Sequence, residues 1–191
     1  FAYVPNAAMK DLYKFTTIDY QHEMFVDGSP QVNDVVIGDD WKTVLVGGLR
    51  AGGRGIYALD VTDPKTFNAS SMLDNVMWEF DSGVDNRLGY TFSNPTLVMT
   101  NQVGSEGERR WAAVFGNGYN HDEANERASL FIVFLDGVGG SDTTWTAGSD
   151  YIVLDTGVNG SGGLGTPRAV DSDGDGDMDY VYAGDLQGNF Y

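Results

Sequence analysis

The sequence predicts an all-β protein, a segment of a β-propeller about two and a half blades long. Three observations carry this. An apolar strand introduced by a small or polar residue and proline occurs three times, at Pro30, Pro95 and Pro167, so the repeat is 65 and then 72 residues long. Each occurrence leads into further short strands that grade from apolar to amphipathic, as a four-stranded antiparallel blade does from its inner to its outer edge. Glycine is abundant, at 26 of 191 residues, beside ten Phe, ten Tyr and four Trp. That mixture suits many short strands joined by tight turns.

The elements follow in order. Phe1-Ala2-Tyr3-Val4-Pro5 reads as the end of a strand. Asn6 to Phe15 is the one helix expected, with Asn6 as its cap and Ala7, Ala8, Met9, Leu12, Tyr13 and Phe15 giving it an apolar side. First strands then begin at Gln31, Thr96 and Arg168. Second strands run from Trp41 to Gly48, Trp111 to Gly118 and Asp179 to Gly184, and Trp41 and Trp111, at matching positions, are expected in the core. Third strands end in aspartate at Asp60 and Asp136, which are expected to hydrogen-bond their own turns, while the last unit stops at Gly188-Asn189-Phe190-Tyr191. Fourth, more polar strands are Val76 to Phe80 and Tyr151 to Asp155. The repeat exceeds the usual ~40–50 residues of a blade because Pro64 to Asn75, Asn120 to Arg127 and Gly137 to Asp150 lengthen its connections. Such a set has open edges and does not close a ring. It reads as one partial propeller domain, residues 1–191, of a larger protein with blades on both sides.

Between the first and second strands of the last unit lies Asp171-Ser172-Asp173-Gly174-Asp175-Gly176-Asp177-Met178-Asp179. At ~4 Å and an effective dielectric near 20, each pair of like charges costs up to about 4 kcal/mol. A compact loop of this kind calls for a cation, and calcium, a hard ion taking about 6–8 oxygen ligands, suits it. Asp171, Asp173 and Asp175 occupy positions one, three and five, Gly176 makes the sharp turn at six, and the Asp177 carbonyl supplies seven. Tyr182 stands where an EF-hand needs its bidentate Glu. This is therefore the shorter D-x-D-x-D-G-x-x-D loop, with Asp179 as the bidentate ligand. A solvated acidic turn would not need both the spacing and the glycine.

The net charge of −17 excludes nucleic acid and anionic lipid as natural partners and favours cations and a secreted or surface-exposed protein. Without cysteine there is neither a disulfide nor a cysteine-ligated metal. No stretch is long and apolar enough to span a membrane, and no signal peptide is visible, so a targeting sequence is expected outside this chain. Asn117, Asn120, His121, Asp122 and Glu123 follow a strand and read more simply as a solvated loop than as a second metal or sugar site. His22 stands alone and reads as surface, and Asp39-Asp40 and Asp27-Gly28 read as a turn and a bend. Gly47-Gly48 and Gly52-Gly53 lack the Lys-Ser/Thr of a phosphate loop and read as turns.

Several runs are long enough to carry a resemblance. Phe25 to Pro30, Trp41 to Leu49 and Gly53 to Pro64, continued by Ala113 to Asn120, by Ala169-Val170-Asp171 and by Ala183 to Asn189, resemble the C-terminal propeller of the PilC/PilY family of type IV pilus biogenesis proteins and tip-associated adhesins. The resemblance spans nearly the whole chain. It implies a modified seven-bladed propeller of quinoprotein-like form, with metal ligands on Asp171, Asp173, Asp175, Asp177 and Asp179. It also implies a calcium site whose loading influences pilus extension against retraction. The implied location is the bacterial outer surface, outer membrane or pilus tip, in contact with pilins and minor pilins and with a host or surface receptor.

Two other functions compete. An integrin-like extracellular propeller also places calcium in such hairpins, but repeats the aspartate loop in several blades; here Val36 to Trp41 and Met99 to Trp111 lack it. A quinone-dependent dehydrogenase needs dispersed catalytic groups, whereas these aspartates are contiguous and no adjacent cysteine pair exists. The sequence therefore reads as a non-enzymatic module.

Overall fold

A computed structural model describes residues 2–68, 72–105, 107–121, 126–138 and 144–191. Among the described residues, ten strands form three antiparallel sheets, each in simple sequence order. The first contains β1 (Gln31–Ile37), β2 (Asp40–Gly48), β3 (Gly55–Asp60) and β4 (Val76–Asp81). The second contains β5 (Thr96–Val103), β6 (Arg109–Gly116), β7 (Ser129–Phe134) and β8 (Tyr151–Asp155). The third pairs β9 (Arg168–Val170) with β10 (Tyr180–Tyr182), and an antiparallel bridge from Gly184 to Phe190 starts its next strand. Two complete blades and the inner part of a third are what the repeat predicts.

Side chains alternate across a strand, and the second sheet uses both of its faces. Ala113, Phe115, Phe131 and Val133 point into a core shared with Val44, Val46, Ile56, Ala58, Trp78 and Phe80 of the first sheet. Their neighbours Ala112, Val114, Leu130, Ile132 and Phe134 point into a second core with Leu164 and Ala183, against which Met178 and Val181 pack. Burial on both faces is why β7 reads as an unbroken apolar run. The aromatic rings interlock by edge and face: Phe131 stacks on Phe115 at 5.6 Å and meets Phe80 edge-on at 5.7 Å. Trp145, from the long connection before β8, reaches the outer strand of the first blade and packs edge-on against Phe80 at 4.9 Å.

Several local expectations are corrected. Residues 2–5 form no strand, and Phe1 lies outside the described residues. The helix is shorter and split: α1 covers Asn6–Met9, and a separate 3-10 turn covers Leu12–Thr16. Asn6 is not its cap. The Glu79 carboxylate of β4 accepts the Asn6 backbone N–H at 2.9 and 3.0 Å, so a distant strand supplies the capping oxygen. The supposed apolar side faces water at Met9, Tyr13 and Phe15, and only Ala8 is buried.

Trp41 is 70 % exposed, unlike Trp111, which packs against the first core. Both lie on the same face of their own blades. For Trp111 that face meets the preceding sheet; for Trp41 no described sheet covers it. Gly47 and Gly48 are strand residues paired with Tyr57 and Ile56, not a turn. Asp60 does hold its own turn, accepting from Thr62 N at 3.0 Å. Asp136 instead takes the Arg110 guanidinium, at 2.7 to 3.0 Å.

Candidate metal centre

The acidic loop spans residues 171–179 and joins β9 to β10, in the hairpin where the repeat places it. Backbone hydrogen bonds fix its ends. Asp179 N donates to Val170 O at 3.0 Å, and Met178 N donates to Met99 O of β5 at 2.9 Å, tying the loop to the neighbouring blade. Within it, Asp171 is the hub: its two carboxylate oxygens accept from Gly174 N at 2.7 Å and Gly176 N at 2.9 Å. Both glycines have positive φ, +82° and +96°, which side-chain-bearing residues rarely adopt. The turn therefore wraps around the first aspartate only because glycine stands at those places.

One oxygen each from Asp171, Asp173 and Asp179 lies within 4.8 Å of the others. Oxygens bound at about 2.4 Å to a common ion are at most ~4.8 Å apart, so the three side chains fit a hard divalent cation. Asp179 is oriented by Ser172, whose N–H and hydroxyl donate to its Oδ2 at 2.7 and 2.6 Å and pull its carboxyl below the usual range.

The other two aspartates are bonded to an arginine. Arg109, the first residue of β6, bonds Asp175 Oδ2 through Nη2 at 2.9 Å and Asp177 Oδ2 through Nη1. The guanidinium beside Asp175 holds its carboxyl down at about 2. Asp177 is 1 % exposed, and burial pushes its carboxyl up. Of the five aspartates expected to ligate, the structure thus brings three together and places the carboxylates of two on an arginine. Arg109 was not expected. Its sequence signal is slight: a basic residue in the hairpin that occupies, one blade earlier, the position of the acidic loop.

Among the described residues, the second polar cluster does not form a shared site. Asn117 is fully buried and spends its amide on four backbone groups: it donates to Arg87 O at 3.1 Å and Arg127 O at 2.9 Å, and accepts from Ser129 N at 3.0 Å and Leu164 N at 2.9 Å. Asn120 is exposed and His121 buried, while Asp122 and Glu123 lie outside the described residues. His22 is exposed, as expected. Among the described residues, no helix is long and apolar enough to cross a membrane.

Similarity to known proteins agrees with this architecture. The family model for the PilY1 β-propeller domain matches residues 3–191. A type IV pilus biogenesis factor PilY1 homolog of Xylella fastidiosa is 44 % identical over 197 residues, covering 100 % of this chain and 12 % of that protein. The type IV pilus biogenesis factor PilY1 of Pseudomonas aeruginosa strain UCBPP-PA14 is 41 % identical over 194 residues, covering 100 % and 15 %. The crystal structure of the Pseudomonas aeruginosa PilY1 C-terminal domain superposes with a TM-score of 0.72 at 37 % identity, covering 100 % of this chain and 33 % of that one. The chain thus spans a small part of the length of these relatives. With its two four-stranded blades, its partial third and a matching family model over almost every residue, the chain belongs to the PilY1 β-propeller family.

Proposed function

We propose that this chain is the calcium-binding propeller module of a type IV pilus assembly and adhesion protein, displayed at the bacterial surface, and that it is not an enzyme. One observation carries the reading: in a chain of this family, three carboxylates of a nine-residue hairpin loop converge within 4.8 Å. Asp171, Asp173 and Asp179 would hold the ion, with Asp175 and the Asp177 carbonyl as the remaining donors that the spacing assigns. Bound calcium supplies two positive charges to a loop of five aspartates. The chain's own residues do the rest: Gly174 and Gly176 curl the backbone around Asp171, and Met178 couples the loop to β5. Loading would stiffen the junction between the second and third blades. That is a route by which calcium influences pilus extension, retraction and attachment, through contacts with pilins or minor pilins and with a surface receptor.

The test is a calcium titration of the full-length protein by calorimetry, with Asp173→Ala and Asp179→Ala as controls. About one ion per loop above the mutant baseline is expected, and no heat above it rejects the site. In cells, Asp173→Ala should change surface pilus number and twitching. Unchanged values would leave the ion a structural part only.

A further inference from the structure

We propose that Arg109 is a built-in counter-cation of the acidic loop, one that competes with the divalent ion for Asp175 and so sets the affinity of the site. This deepens the reading above and rests on it. The residue comes from a different blade: it opens β6, while its two partners lie in the β9–β10 hairpin.

The two halves of the clamp differ. Asp177 is 1 % exposed, and a buried carboxylate needs a partner, so the Arg109–Asp177 bond is the fixed half. Asp175 is 40 % exposed, so water and other cations reach it and its bond is the releasable half. Spacing puts Asp175 at position five of the coordination scheme. Yet both of its oxygens are engaged, Oδ2 by Arg109 at 2.9 Å and Oδ1 by the Asp177 N–H at 3.1 Å. Recruiting Asp175 to the ion therefore breaks an ion pair and leaves a guanidinium charge at the rim of the site. Both effects weaken binding. The same clamp keeps the loop folded across the blade junction when no metal is present. Lysine would keep the charge but lose the planar fork that spans two carboxylates.

The experiment compares wild type, Arg109→Gln and Arg109→Lys in the full-length protein, with Asp173→Ala as the blank. Calcium affinity is read by calorimetry, and hydrogen exchange of residues 171–179 is read in EDTA. Arg109→Gln should bind calcium about tenfold more tightly, and its loop amides should exchange several-fold faster without metal. Arg109→Lys should fall between the two. If wild type binds and Arg109→Gln binds no more tightly, the competition is wrong while the metal site stands. If neither binds, the metal site itself is wrong. If only Arg109→Gln binds, Arg109 blocks the site and the competition is upheld. Should Arg109→Gln not fold, Arg109→Lys decides: a Kd equal to wild type overturns the proposal.

Discussion

Replacing Asn117 by alanine should unfasten the joint between the first two blades. The Asn117 side chain is entirely buried and satisfies two carbonyls and two N–H groups drawn from three places: the link between the blades at Arg87, the start of β7 at Arg127 and Ser129, and the link to the third blade at Leu164. Alanine leaves all four without this partner. A buried group left unpaired costs about 1–3 kcal/mol, and carbonyls tolerate the loss better than N–H groups. Counting chiefly the Ser129 and Leu164 N–H groups, and allowing a water to enter the vacated space, the loss is about 4 kcal/mol. For a domain of this size that lowers Tm by roughly 8–16 °C. Asn117→Asp keeps the acceptor Oδ1 but loses both donors and sets a charge against two carbonyls, so it should cost at least as much. Urea or thermal unfolding followed by circular dichroism measures both variants. A loss below about 1 kcal/mol for Asn117→Ala would show that these bonds are replaceable, and that apolar packing and the backbone bonds of Gly89 and Tyr90 hold the joint.

Other outcomes follow from the same geometry. Phe131→Ala, which empties the shared core between stacked Phe115 and Phe80, should cost about 3–5 kcal/mol. Denaturant unfolding measures this, and a loss below about 1 kcal/mol would refute the packing of Phe131 between the two rings. Gly116→Ala places a Cβ 2.3 Å from Leu164 O and 2.4 Å from Gly165 O, so it should destabilise strongly; a wild-type Tm would contradict the close approach. Burial pushes the Asp85 carboxyl up, but its bonds to Arg87 and Tyr151 more than offset this and hold it below the usual carboxylate range. The unfolded chain therefore takes up the proton first. The stability this group confers is complete above the ordinary value of about 3.9 and is lost as pH falls through the lower, folded one. Tm measured from pH 6 to pH 2 should fall less steeply for Asp85→Asn below about pH 4, and parallel curves would refute the pairing.

The features legible in the sequence are those that local pattern dictates. Strand order, the three proline-led units and the position of the acidic hairpin follow from hydrophobic runs and glycine punctuation, which need no partner to be read. Asn117 failed that test. Beside Asn120 and His121 it looks like polar loop, and nothing in the string shows that backbone groups at Arg87, Arg127 and Leu164 converge on it. Trp41 differs from Trp111 for a related reason: matching repeat positions share a local environment only if both are flanked by equivalent sheets, and among the described residues a preceding sheet flanks only the second blade.

The acidic loop joins both kinds of information. Its aspartate spacing and its glycines at positive φ are local, and they suffice to place three carboxylates around one point. How the remaining charge is balanced is not local. Arg109 lies more than sixty residues earlier and meets the loop only because successive blades set equivalent hairpins side by side. In a stacked-sheet protein the residue that answers a charged loop is therefore best sought one repeat away, at the hairpin in the same register. The Met99–Trp111 hairpin lacks the aspartates and carries the arginine instead, which makes the absence of the motif in one blade part of the electrostatics of the next.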